Sequence, residues 1–279
     1  MDLHVLALVL LAAAAHAAWN AWLKDSGDRV SSMAAIAVGW FIVGCVSVPV
    51  VGFPSIASWP YLLATTLVHT AYAMLLITAY KHAEFNLAYP IARGTGPLLV
   101  TLVAPLLVSE YLEGPSFFAV TLIVIGIFLI GAFGNERSLG GSRAILFSLA
   151  TGVLIAAYTM IDGQGARVGQ TPHAYAAWLF ILIAAPIVLL ANTRLKKNTR
   201  ELLAGHWKTG VPIGVVSALA YWVIVWAMTV APMALVAATR ETSILFAALV
   251  SWGVLGEKLR PMRWAGIAVT LIGLILAKF

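Results

Sequence analysis

Two arginines and a glutamate stand inside long apolar stretches, where charged side chains are scarce. Arg93 lies seven residues into the run Asn86–Val108. Arg240 and Glu241 lie seven and eight residues into Met233–Leu255. Burying a charge in hydrocarbon is costly unless it meets a partner or water, so such residues mark sites. Arginine stays protonated and presents a planar fork that matches carboxylate, phosphate or phosphonate. The plainer role for Arg93 or Arg240 is a pair with Glu241, or with backbone carbonyls, that ties helices together. Glu241 is correspondingly either a carboxylate that carries a coupling proton or half of a permanent ion pair.

A second set surrounds these charges. His16, Trp19 and Asn20 share one helical face at i, i+3 and i+4, as do His69 with Tyr72 and Tyr158 with Asp162. Trp222 and Trp226 lie one turn apart beside Tyr221, and Tyr89 leads into Pro90. Trp22, Trp59, Trp207 and Trp264 sit near run ends, where tryptophan anchors at the membrane interface. The mid-run groups His16, Trp19, Asn20, His69, Tyr72, Tyr89, Tyr158 and Trp222 are candidate substrate contacts, through hydrogen bonds, carbon-skeleton packing or cation–π contacts. Asp162, followed by Gly163 and Gln164, is expected nearer a membrane surface. That leaves two arginines against Glu241 alone at mid-depth, a field favouring a ligand with a negative group. Pro90, Gly94, Gly96 and Pro97 crowd Arg93 and point to a broken fourth helix, whose half-helix ends would help bind an ion.

Composition dictates the elements that hold these residues. Of 279 residues, 62% are hydrophobic and 10% charged, with a mean hydropathy of +0.96. A soluble domain is about 45–50% apolar and about 25% charged, so a soluble globule and a disordered chain are excluded. Ten apolar runs are separated by turn residues or charge: Leu3–Leu23, Met33–Phe53, Trp59–Tyr80, Asn86–Val108, Ser116–Phe133, Ala144–Met160, Ala174–Ala191, Gly210–Val230, Met233–Leu255 and Trp264–Ala277. Each is about the length of a spanning helix. None alternates as a membrane strand would. Leu3–Leu11 before Ala15-His16-Ala17 resembles a signal peptide, but it lacks a basic start and continues apolar to Leu23, so an uncleaved span is expected.

The formal charge of +6 belongs to membrane loops rather than to nucleic-acid binding. Loops after odd-numbered runs hold thirteen Lys and Arg; the termini and even loops hold only Arg167 and Lys278. The positive-inside rule then puts both termini outside the cytoplasm. Cys45 is the single cysteine, which excludes a disulfide framework. The sequence has no Walker A loop, no G-x-S-x-G, no H-E-x-x-H and no Cys/His metal spacing. It therefore predicts no cofactor, no metal, no ATP hydrolysis and no enzyme.

The chain also repeats. At a spacing of 147, Arg93 falls on Arg240, Thr95 on Thr242, Glu110 on Glu257 and Gly126 on Gly273, among ten identities between Arg93–Gly131 and Arg240–Lys278. Two halves, 1–135 and 141–279, would each hold five spans. Five is odd, so the second half must enter the bilayer inverted. Inverted repeats build secondary transporters, with the substrate site near the midplane between halves. The expected fold is an all-α integral membrane protein of ten transmembrane helices in two inverted five-helix repeats.

The repeat ends, Glu110 to Gly131 and Gly256-Glu257-Lys258-Leu259-Arg260-Pro261 through Gly266 and Gly273, resemble the EamA repeat of the drug/metabolite transporter superfamily. The first copy departs from it, with Ser109 where glycine is usual and Ala119 where the first glycine of the last span would fall. Tyr89-Pro90-Ile91-Ala92-Arg93-Gly94 and Arg240-Glu241-Thr242-Ser243 are also similar to a subgroup found beside phosphonate-utilisation genes. The resemblance implies a carrier of small metabolites whose cavity is lined mainly by the first, third and fourth spans and their repeat mates. Together the readings predict a secondary transporter in the inner (plasma) membrane, monomeric or weakly dimeric, surrounded by lipid. Its cargo would be a small organic anion or zwitterion (amino-acid-like, carboxylate or aminophosphonate), with protons as a possible coupling ion. The alternative is an exporter of organic cations or amphiphilic drugs, with Glu241 as counter-ion.

Overall fold

A computed structural model describes every residue except 26, 27, 83, 84, 113, 133–141, 254, 255 and 257; the side chains of 19–25, 76–82, 85–90, 132 and 142–144 also lie outside the description. The described residues are helical, with no strand. The elements are α1 (Leu3–Asp25), α2 (Arg29–Val51), α3 (Trp59–His82), α4 (Phe85–Leu107), α5 (Pro115–Ala132), α6 (Ser142–Gly169), α7 (Pro172–Leu195), the short α8 (Thr199–Leu203), α9 (Trp207–Val230), α10 (Met233–Glu241), α11 (Ser243–Gly253) and α12 (Pro261–Leu276). A single 3-10 turn at Ile56–Ser58 precedes α3.

Each apolar run overlaps helix, because in hydrocarbon a helix satisfies its own backbone groups. Five described stretches are long and apolar enough to cross a membrane: Arg29–Val51, Ile145–Gly169, Pro172–Leu195, Trp207–Val230 and Met233–Gly253. Shorter apolar helices cover Leu3–Ala18, Ile91–Leu107, Pro115–Gly131 and Pro261–Leu276.

The expected break lies elsewhere than the prolines suggested. α4 runs continuously through Pro90 and Pro97, whereas the ninth run divides at Thr242 into α10 and α11. There the Thr242 N–H turns back to the Thr239 carbonyl at 3.2 Å, and the Thr242 hydroxyl donates to the same oxygen at 2.6 Å. A hydroxyl competing for a backbone acceptor tightens the turn without a proline. The α4 glycines instead admit neighbours: a side chain at Gly94 would strike the Phe128 ring, and one at Gly96 would strike Ile155 of α6.

Helix packing has a two-fold pattern. α5 packs on α12, α2 on α7 and α4 on α10. The contact of α3 with α6 has a counterpart in α9 with α1, that of α2 with α9 in α7 with α3, and that of α4 with α6 in α10 and α11 with α1. The α5–α12 crossing repeats the pattern at residue level: Gly126 lies against Gly266 and Thr270, and Gly273 against Ala119 and Ile123. Small residues let helix backbones approach closely where lipid offers no hydrophobic drive to associate.

Candidate functional site

The charged residues converge on one buried network. Glu241, fully buried at the end of α10, accepts from Arg93 Nη1 of α4 at 2.7 Å. Its other oxygen accepts from Arg240 Nε at 2.9 Å and Nη2 at 2.6 Å. Arg93 Nη2 meets His16 Nε2 of α1. An arginine only donates, so His16 Nε2 is the acceptor and the ring proton sits on Nδ1. Both arginines are 2% exposed. Glu241 is thus in the ion-paired arrangement, bridging two guanidiniums.

The arginines are not equivalent. Both amino nitrogens of Arg93 are engaged, one by Glu241 and one by His16, so it ties α1, α4 and α10 together. Arg240 gives Nε and Nη2 to the same carboxylate oxygen, and its Nη1 has no hydrogen-bond partner among the described residues. Nη1 is also absent from the sealed unpartnered atoms, so it reaches open space. That space is a cavity of about 600 Å³, open mouth included, with Arg240 in its wall. The Arg240 guanidinium carbon lies 5.5 Å from the Tyr158 ring centroid and 5.9 Å from that of Tyr221, within cation–π range.

Asp162 departs from its expected place near a surface. It is 0% exposed and lies well inside α6, which continues to Gly169. Tyr221 Oη donates to Oδ2 at 2.6 Å and Tyr175 Oη to Oδ1 at 2.9 Å. His69 Nε2 lies 3.1 Å from Oδ2. Donors from α3, α7 and α9 make this carboxylate bearable inside the bundle. The glycines that looked like a run end are packing positions instead, Gly163 against Met233 and Gly165 against Tyr61 and Tyr175. The buried charge therefore balances formally, two arginines against Glu241 and Asp162, rather than standing in excess positive.

His69 stacks on Tyr158 with centroids 4.2 Å apart, and Tyr72 meets the same ring edge-on at 5.6 Å. Of the residues singled out in the sequence, His16, His69, Tyr72, Tyr158 and Arg240 line the cavity, and Arg93 and Glu241 lie behind Arg240. Trp222 is not brought there: its indole N–H donates to His173 Nδ1 at 2.9 Å on another face of α9. The side chains of Trp19, Asn20 and Tyr89, on α1 and α4, lie outside the described residues, as does Glu257. The lining also extends beyond the implied set of spans. α2 contributes Met33 and Trp40 and α7 contributes Phe180, Ile183 and Ile187, while α4 contributes no lining residue among those described. Trp40 donates to Ser217 Oγ at 2.7 Å across the α2–α9 contact. A lone tryptophan in an apolar run carried no signal for this role, whereas Tyr221, one residue from Trp222, was a matter of helical phase.

A further ionic cluster sits where α9 meets α10. Arg167 Nη1 donates to Glu110 Oε2 at 2.6 Å, and its Nε and Nη2 donate to the carbonyls of Met228 and Ala231 at 2.7 and 3.0 Å. Glu110 Oε1 accepts the Met233 N–H at 2.5 Å, capping the first turn of α10. Just before Glu110, Ser109 has a φ of 53°; in the second half Gly256 has a φ of 70°. The left-handed residue ahead of the glutamate explains why glycine is usual there.

Residues 142–279 match the EamA-like transporter family. They belong to it. The protein is accordingly an EamA-type membrane transporter, crossing the bilayer several times and handling a small molecule amid lipid. The chain is 24% identical over 222 residues to the uncharacterized transporter YwfM of Bacillus subtilis (strain 168), covering 78% of this chain and 73% of that one. A protein known from a crystal structure, 16% identical, shares the fold with a TM-score of 0.79 over 100% of this chain and 99% of that one. Proteins of the EamA family are transporters rather than enzymes.

Proposed function

We propose that the protein is a secondary carrier in the inner (plasma) membrane that moves a small organic anion or zwitterion by alternating access. Ten helices span the bilayer in this reading, as inverted halves 1–135 and 141–279. The paired packing of α5 with α12, α2 with α7 and α4 with α10 supports two-fold related halves. So do the left-handed residues Ser109 and Gly256, 147 positions apart. The cavity is built within one chain, which suits a monomer or weak dimer. A proton gradient or substrate exchange, not ATP, drives the cycle.

One observation carries the substrate class: Arg240 stands in the cavity wall with Nη1 uncommitted. An anionic oxygen placed there completes the guanidinium's hydrogen bonding. The cation reading draws on the aromatic lining and on both arginines being paired to Glu241, but it leaves Arg240 Nη1 without a role. Thermal-shift and liposome-flux measurements with anions, zwitterions and cations, on wild type, Arg93→Ala and Arg240→Ala, test the choice. Anions or zwitterions should stabilise wild type and lose their effect in Arg240→Ala. Stabilisation by cations alone, equal in both variants, overturns the reading.

A further inference from the structure

We infer that the His69–Asp162 pair is an ammonium-binding site, and that the cargo is a zwitterion held between it and Arg240. The inference rests on the anion site proposed at Arg240. The argument begins at Asp162, whose carboxylate accepts only. Tyr175 and Tyr221 donate their hydroxyl protons to it, and His69 Nε2 fills the third position at 3.1 Å. In the neutral ring that contact places the proton on Nε2 and leaves Nδ1 as a bare acceptor.

Nδ1 of His69 has no hydrogen-bond partner among the described residues and is not one of the sealed unpartnered atoms. His69 itself lines the cavity and is 9% exposed. A lone pair open to a low-dielectric cavity, with a carboxylate behind the ring, attracts an N–H donor that carries positive charge.

The two poles share one ring. His69 stacks 4.2 Å from the Tyr158 centroid and the Arg240 guanidinium carbon lies 5.5 Å from it. Both residues also line the same cavity, and the inference places one small molecule across it, from Nδ1 of His69 to Nη1 of Arg240. The formal balance of two arginines and two carboxylates leaves a cavity without net charge but with a positive and a negative end. A zwitterion complements that dipole, whereas a simple anion meets only half of it.

The test uses purified full-length protein and binding calorimetry with β-alanine, γ-aminobutyrate and ε-aminocaproate, each against the carboxylate of equal chain length, and butylamine. At one chain length the amino acid should bind about ten- to a hundredfold tighter than its carboxylate, the worth of one charge-assisted hydrogen bond. Asp162→Asn removes the negative charge that stands behind the ring. His69→Phe keeps the ring stack without any nitrogen. In either folded variant the amino-acid preference should fall to about one, and if Asp162→Asn unfolds, His69→Phe supplies the readout. A preference that survives in His69→Phe, or no preference in wild type, overturns the inference. Where amino acid and carboxylate bind equally and Arg240→Gln abolishes both, the anion site stands and the ammonium site falls. Binding of butylamine alone removes the anion site and, with it, the zwitterionic cargo.

Discussion

Replacing Glu241 by Gln isolates what the central network does. The carboxylate lies 2.6–2.9 Å from three guanidinium nitrogens of Arg93 and Arg240. Opposite charges about 4 Å apart attract by about 4 kcal/mol at an effective dielectric of about 20. The substitution removes two such attractions and exposes the repulsion between the arginines. No longer having to desolvate a carboxylate offsets much of this, and breaking a buried pair costs about 3–5 kcal/mol in net terms. At about 2 °C or more per kcal/mol for a chain of this size, the melting temperature should drop by about 10 °C. Removing either arginine has a smaller effect, because a cationic triad becomes a neutral pair. For Arg93→Gln the loss is about 1–3 kcal/mol, from two charged hydrogen bonds. Melting of detergent-purified variants gives the ranking directly. The reasoning fails if Glu241→Gln is as stable as wild type, or if Arg93→Gln is the more damaging change.

Ser109→Gly should raise stability by about 0.5–1 kcal/mol, since the φ of 53° strains a residue with a Cβ; a lower melting temperature contradicts the account. Glu110→Gln removes the acceptor shared by Arg167 and the α10 N-terminus, and should cost about 1–3 kcal/mol in the same melting assay. At the head of α2, burial raises the Asp28 carboxyl, but hydrogen bonds from the Ser31 hydroxyl and N–H hold it below its ordinary value overall. A depressed group stabilises above its unfolded value and loses that effect as pH falls through the folded one. Asp28→Ala should therefore cost about 1 kcal/mol at neutral pH and converge with wild type in acid; equal cost at both pH values counts against the cap. A reporter active only in the cytoplasm, fused after Phe279, should stay dark if the loop charges set orientation.

The helical class was legible because backbone hydrogen bonding in lipid leaves few alternatives, so apolar run length translates into helix. Arg93, Arg240 and Glu241 were legible for the related reason that a charge inside such a run must be accounted for. Their roles were not, because Arg93 and Arg240 occupy equal positions 147 apart and only their partners separate them. His16 takes up the second nitrogen of Arg93, and nothing in the spacing of His16 along α1 pairs it with α4.

Asp162 is the sharper case. An Asp-Gly-Gln-Gly stretch reads as the end of a membrane run, since polar and small residues collect at boundaries. Read through its partners, the same stretch is interior: three donors from three helices answer the carboxylate, and Gly163 and Gly165 admit Met233 and Tyr175. Satisfaction of a buried polar group depends on tertiary neighbours, which sequence spacing along one helix does not encode. The consequence for function is direct. With Asp162 at a surface, the cavity would hold two cations against one anion and favour any negative ligand. With Asp162 inside, the charges balance, and that separation of charge is the ground for the zwitterionic cargo we propose.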